Sequence, residues 1–391
     1  MKKIATFLLA SIAAQNISAQ TFIQAYQDRA NMVTQTNITT YLQEFAGLGI
    51  KTTGSQANAN ALAWLKSKYL SYGYTPGQIE EDPFTFGNKN SKNLIITKTG
   101  TLYPNKYVII CGHFDSITGL GVNDNGSGTS VILEAARILK DVPTEYSIKF
   151  IHFSGEEQGL VGSNHYVNTV AYQGGNRVLD IKLVFNLDQV GGVMGNNNNT
   201  VYCDQDLGGL SSNNAASAIV TQELRNCTAL YSPLQTAVDP AEDTDYIPFE
   251  QKGEVITGFF ERIRSSYPHT TDDTFVNTDP VYIYNIGKAS VGALQHFAVA
   301  TGTLGTHEAV IKNSLESLKL YPNPVKDFIN LELPDSSIKN FSFEITDFSG
   351  RSVLKKLNEK KINVSGLENG AYIGILKSGD QTAVRKVLIE R

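Results

Sequence analysis

The sequence predicts an α/β chain: a three-layer α/β/α domain around a central, largely parallel mixed sheet, followed by a small all-β sandwich. Two patterns carry this reading. Across residues 93–300, short apolar, β-branched runs alternate with helix-length stretches, as in a sheet covered by helices on both faces. Beyond Leu320, strand-like runs follow one another with Gly, Asn, Asp and Ser between them and no segment of helix length.

The elements follow in order. Residues 1–19 hold Lys2 and Lys3, an apolar run over 4–14 and the small residues Ser18 and Ala19, which reads as a secretory signal peptide cut after Ala19. Residues 21–48 and 57–72 have helical apolar spacing. The first of these reads equally as a short pro-segment or as part of the domain. Strand runs are expected at 94–97, 107–114, 148–153, 183–187 and 255–260, and helices at 128–140, 212–230 and 281–300. A domain over 20–302, a linker over 303–319 and a β module over 320–391 follow, the last with strand runs at 329–333, 341–345, 371–376 and 383–389. The Asn run at 196–199 reads as a solvated turn.

Composition narrows the function. With 33 basic against 38 acidic residues and no basic cluster, nucleic acid is not an expected partner. After the signal no run approaches the ~20 apolar residues of a transmembrane helix. Three cysteines are too few for a disulfide scaffold. Export makes a Cys203 to Cys227 bridge available, worth about 3 kcal/mol, and two free thiols are the alternative. Cys111, inside an apolar run, reads as a buried, inert thiol.

The chemistry concentrates around residues 154–163, Ser-Gly-Glu-Glu-Gln-Gly-Leu-Val-Gly-Ser, between a strand over 148–153 and an expected helix over 157–169. Side chains of adjacent residues diverge, so one of Glu156 and Glu157 can bind a metal while the other carries a proton. Alone, both also read as acids favouring a helix N-terminus. Other strand ends supply more of the same chemistry. His113 and Asp115 close one strand, Asp124 precedes a helix, Asp188 ends another strand, and His269 lies in the loop after 255–260. In a parallel sheet these ends face one ligand crevice. Three carboxylates with two imidazoles form an oxygen and nitrogen set suited to zinc, and exceed what one tetrahedral ion uses. His152, His165, His296 and His307 lack such a context and read as structural.

Residues 93–300 resemble the secreted di-zinc aminopeptidases, the zinc-exopeptidase family of bacterial leucyl aminopeptidases and aminopeptidase Y. The likeness is carried by His113-Phe114-Asp115-Ser116, Asn123-Asp124-Asn125-Gly126-Ser127-Gly128, Gly155-Glu156-Glu157-Gln158-Gly159-Leu160, Asn186-Leu187-Asp188, and His269 with Asp272-Asp273-Thr274. The resemblance implies two zinc ions bridged by Asp124. His113 and Asp188 would complete one, Glu157 and His269 the other. It further implies Glu156 as general base and Asp115 as the carboxylate that holds the His113 ring. Expected substrates are peptides with a free N-terminus, preferably with an apolar first residue.

The chain also departs from the family. The loop over 116–122 is short, and Tyr246 stands where relatives usually carry histidine. No tyrosine for the oxyanion is found over 240–243, so Tyr246 and Tyr267 are both candidates for that role or for cleft packing. The alternatives are a carboxypeptidase or dipeptidase, with Arg262 and Arg264 gripping a carboxylate, and a single-zinc glutaminyl cyclase on the same fold. Residues 320–391 resemble the C-terminal sorting domain of cargo for the type nine secretion system of Bacteroidetes, through Tyr321-Pro322-Asn323-Pro324-Val325, Asp347-Phe348-Ser349-Gly350-Arg351, Leu367-Glu368-Asn369-Gly370-Ala371-Tyr372 and Lys386-Val387-Leu388-Ile389. That resemblance implies the secretion machinery as a partner, passage through the periplasm of a Gram-negative bacterium, and a secreted or cell-surface destination.

Overall fold

The computed structural model describes residues 20–302, 318–333, 338–347, 351–378 and 381–390. The signal peptide, most of the linker with His307, and the middle of the Asp347 to Arg351 motif lie outside them. The chain divides into two compact units, residues 1–304 and 305–391.

The first unit starts with α1 (Gln24–Ala30), α2 (Gln35–Gly47) and α3 (Gln56–Ser71). Thr34 and Ser55 cap the second and third by accepting from the backbone N–H groups of Asn37 and Asn58. Then come β1 (Ile79–Phe86), β2 (Lys89–Lys98), β3 (Tyr103–His113), α4 (Gly126–Leu139), β4 (Tyr146–Phe153) and α5 (Val161–Tyr166). A hairpin of β5 (Tyr172–Gln173) and β6 (Asn176–Arg177) leads to β7 (Asp180–Leu187), β8 (Thr200–Gln205), α6 (Ser211–Tyr231), β9 (Gln235–Pro240), α7 (Ile247–Glu250), β10 (Ile256–Glu261) and α8 (Pro280–Phe297).

Eight strands make one sheet in the order β1-β2-β4-β3-β7-β10-β8-β9. Its centre, β4, β3, β7 and β10, is parallel. The β1–β2 hairpin joins β4 antiparallel, and β8 joins β10 antiparallel with β9 parallel beside it. The sheet is therefore mixed and largely parallel. Strand side chains alternate between two cores. Val108, Ile110, Phe150 and Phe185 pack with residues of α1 to α4, α6 and α8. Ile109, Cys111, Ile151 and Val184 face the other way, onto Tyr166, Val167, Tyr246 and Phe249.

Two readings left open take one of their alternatives, and two expectations differ for physical reasons. The segment over 21–48 is an integral part of this unit. Tyr26, Ala30, Val33, Ile38, Leu42 and Phe45 all enter the main core, and Tyr26 donates its hydroxyl to the Ala300 carbonyl. Strands β1 and β9 are the two sheet edges, where full burial is not required, and β8 beside β9 interrupts its apolar residues with Asp204 and Gln205. Their sequences, such as Ile-Glu-Glu-Asp-Pro-Phe-Thr-Phe in β1, accordingly carry no continuous apolar run. The helix expected over 157–169 is shortened to α5 followed by a wider turn over Val167–Ala171, because Gly159 and Leu160 adopt positive φ of 93° and 59°. Cys203 and Cys227 are free and buried, as is Cys111.

The second unit contains β11 (Lys319–Tyr321), β12 (Phe328–Glu332), β13 (Ser342–Thr346), β14 (Ser352–Leu357), β15 (Lys361–Asn363), β16 (Gly370–Ser378) and β17 (Gln381–Ile389). Two antiparallel sheets, β11-β12-β15 and β14-β13-β16-β17, form a sandwich. Ile329, Leu331 and Ile362 of one sheet share a core with Phe343, Ile345, Leu376 and Val387 of the other. No helix among the described residues is long and apolar enough to cross a membrane.

Candidate metal centre

The carboxyl ends of the central strands converge. His113 is the last residue of β3, Asp188 follows β7, and Glu156 and Glu157 sit in the turn after β4. Register holds them side by side: His113 pairs with Phe153, and Cys111 with Asn186. Gly112 permits this approach, since a Cβ there would lie 2.6 Å from the Leu187 carbonyl oxygen.

Asp124 reaches the same point from the loop before α4. Asp273 accepts hydrogen bonds from the backbone N–H groups of Asn123 (2.7 Å) and Asp124 (3.0 Å). Asn123 in turn donates its side-chain amide to Glu261 at 3.1 Å. Asn125 caps α4 by accepting from Gly128 N–H (2.9 Å) and donates to the Leu187 carbonyl (2.8 Å), tying the loop to the end of β7.

Two triads result. Ligand-type atoms of His113, Asp124 and Asp188 lie within 4.8 Å of one another, as do those of Asp124, Glu157 and His269. Asp124 belongs to both. Its Oδ1 is 3.1 Å from His113 Nε2 and its Oδ2 is 3.1 Å from His269 Nε2. His113 Nε2 is also 3.4 Å from Asp188 Oδ1, and His269 Nε2 is 2.8 Å from Glu157 Oε2. Glu156 joins neither triad, its Oε2 being 3.9 Å from His113 Nε2.

This donor set fits divalent cations. His113 Nε2 and Asp188 Oδ1 are buried polar atoms with no hydrogen-bond partner, which costs free energy unless something else binds them. Charge balance points the same way. Burial raises the Glu156 carboxyl well above the usual range, the neighbouring His113 opposes, and Asp188, Asp245 and Asp115 add to the rise. Burial and the Asp124 charge likewise raise Glu157. Burial would raise Asp124 too, but the imidazoles facing its two oxygens outweigh that and hold it low. Glu156 and Glu157, raised in this way, hold protons when nothing else neutralises the site, and a pair of dications would replace those protons.

Asp115 lies beside the His113 ring and has further partners. His113 Nδ1 lies 3.2 Å from the Asp115 backbone carbonyl and 3.6 Å from its carboxylate. The carboxylate also accepts from the backbone N–H groups of Glu156 and Glu157, both at 3.3 Å, and from Thr53 Oγ1 at 3.2 Å. It thus fixes the turn that carries both glutamates. Thr244, which the sequence reading did not single out, donates to Asp188 Oδ2 and aims that carboxylate.

Asp124, Glu156, Asp188 and His269 open onto a cleft of about 330 Å³ whose other side includes Glu242, Asp243 and Arg264. Tyr246 is fully buried behind it, donating to Asp204 Oδ2 at 2.9 Å and accepting from Glu242 N–H at 2.6 Å. It supports the cleft wall and is not placed to meet an oxyanion; Tyr267 is not part of the lining either. Arg264 pairs with Glu242 and Asp239. His152, His165 and His296 take structural partners, Tyr69, Asp82 and Tyr231.

Residues 93–293 match the model of peptidase family M28. This chain belongs to that family. Residues 319–390 match the model of the secretion system C-terminal sorting domain. Aminopeptidase YwaD of Bacillus subtilis is 45% identical over 108 residues, which cover 27% of this chain and 23% of that protein. The chain spans from 20% to 48% of the length of the first curated relatives it matches. The crystal structure of the LapA aminopeptidase of Legionella pneumophila superposes with a TM-score of 0.63 at 20% identity, covering 76% of this chain and 80% of that one. Porphyromonas gingivalis glutaminyl cyclase superposes at 0.55 with 18% identity, covering 68% and 99%. These neighbours share the fold of the first unit.

Proposed function

We propose that the protein is a secreted zinc aminopeptidase that hydrolyses the N-terminal peptide bond of peptides. His113, Asp124 and Asp188 would hold one zinc ion, and Asp124, Glu157 and His269 a second. The observation that carries this is the pair of triads sharing Asp124, with Glu156 beside them and outside both. A zinc pair supplies, when bound, electrophilic activation of the scissile carbonyl and acidification of water.

The remaining work falls to the chain. Glu156, tied to neither triad, is free to take a proton from the attacking water and return it to the leaving nitrogen. Asp115 fixes the backbone on which Glu156 sits. Thr244 and Asp273 position Asp188 and Asp124. An acidic cleft suits a free α-amino group, which accounts for trimming from the N-terminus. The C-terminal unit, matched over 319–390, serves export and takes no part in the chemistry.

Two other readings are weaker. A carboxypeptidase needs a cation free to grip a terminal carboxylate, and Arg264 is already committed to Glu242 and Asp239. The cyclase neighbour raises the second, but a one-metal reaction does not call for two complete triads. The test compares a peptide with a free N-terminus and its N-acetylated copy. Only the free peptide is shortened, activity is lost on chelation and zinc restores it. Release of residues from the carboxyl end, or cyclisation of an N-terminal glutamine, would overturn the proposal.

A further inference from the structure

We propose that the cleft wall over residues 239–243 makes the side-chain subsite acidic, so that substrates beginning with lysine or arginine are preferred to those beginning with leucine. Glu242 and Asp243 are the residues that set this preference. The inference rests on the aminopeptidase reading and replaces the apolar preference that the family resemblance implied.

Among the residues lining the cleft, Phe260 is the one large apolar side chain. Its ring is capped by the Arg264 guanidinium, 4.7 Å from the ring centroid, so little apolar surface is left for a leucine side chain to bury. Arg264 is itself held: its Nη1 donates to Glu242 Oε2 at 3.3 Å and its Nη2 to Asp239 Oδ2 at 3.4 Å. Arg264 is shared with Asp239 outside the lining, so its one guanidinium against the lining carboxylates Glu242 and Asp243 leaves an excess of negative charge on this wall. Asp243 is exposed and has no ion pair among the described residues.

Position and rigidity complete the case. Thr244, the next residue, donates to Asp188, so the acidic wall begins one residue from a zinc triad. A substrate whose α-amino group and first carbonyl lie at the metal centre directs its first side chain into this small cleft. The wall is also fixed in advance. The Tyr246 hydroxyl accepts the Glu242 N–H, and Ala241 N–H donates to the Gln205 carbonyl at 2.9 Å. A preorganised carboxylate pair loses little entropy on meeting an ammonium or guanidinium.

The test measures kcat/KM on substrates of one series beginning with arginine, lysine, leucine and glutamate, using the zinc-loaded full chain. Arginine and lysine are expected to exceed leucine several-fold at low ionic strength, with the gap narrowing as salt is added. Asp243→Asn and Glu242→Gln should each lower the arginine-to-leucine ratio roughly two- to fivefold, the range for one partly exposed charge pair. Asp243→Lys should lower it further. Leucine cleaved at least as well as arginine, with a ratio indifferent to these substitutions, would overturn the subsite while leaving the aminopeptidase intact. A preference for glutamate would overturn it in favour of Arg264 as the reading residue. Absence of turnover on every member of the series would bring down both proposals together.

Discussion

Asp273 decides where the bridging carboxylate sits, because its two oxygens take the adjacent N–H groups of Asn123 and Asp124. Asp273→Asn turns one acceptor into a donor that faces a donor, at a cost of about 1–3 kcal/mol. The expected result is weaker zinc binding in a calorimetric titration, accompanied by a modest fall in Tm; unchanged affinity would show that Asp124 is placed by its neighbours alone. Glu156→Gln separates ligand from base. The shape is kept and neither triad is touched, so zinc content by elemental analysis should match the parent while kcat falls about 10²- to 10⁴-fold. The five ligand candidates and Glu156 could be picked out in the sequence because each is a metal-binding or proton-carrying type at the end of a predicted strand or in a loop beside one. Asp273 and Thr244 act through hydrogen bonds to groups far away in sequence; Asp273 stood in the quoted motif after His269 without this role, and nothing in the local pattern marks Thr244. Asp115 was found for its place beside His113, and its carboxylate also serves the glutamate turn.

Among elements, the turn from Ser154 to Val161 shows how far local pattern reaches. The buried strand before it was evident from its apolar run, whereas the start of the helix after it depended on the positive φ of Gly159 and Leu160, which a periodicity argument does not see. Edge strands β1 and β9 escaped notice for a related cause: half-exposed strands need no apolar run. The turn is clamped at its far end by Gly162, where a Cβ would lie 2.1 Å from the Ser154 carbonyl oxygen and 2.3 Å from Asn93 Oδ1. Gly162→Ala must therefore push α5 away from the turn that bears Glu156 and Glu157. Overpacking of this kind costs about 1–3 kcal/mol. We expect a lower Tm and a larger loss of kcat than the stability change alone explains, and wild-type values for both would contradict the close packing.

At the scale of the whole molecule, the change from alternating elements to consecutive short strands near Leu320 was readable because the two units bury apolar surface in different ways. The first places helices on a sheet, and the second closes two sheets on each other. Each core is made of residues from its own unit, and both ligand triads with their supporting hydrogen bonds lie within residues 51–273. Chemistry and address should then be separable. A chain ending at residue 304 retains every residue of the first core and of the site, so its kcat/KM, zinc content and thermal transition should equal those of the full chain. Its export from a bacterium carrying the secretion system should be lost, and attachment of residues 305–391 to an unrelated periplasmic protein should confer export. If the shortened chain instead lost activity with its transition lowered, the sorting unit would be a structural partner of the enzyme as well as its address, and the two-unit division of the chain would have to be abandoned as a functional boundary.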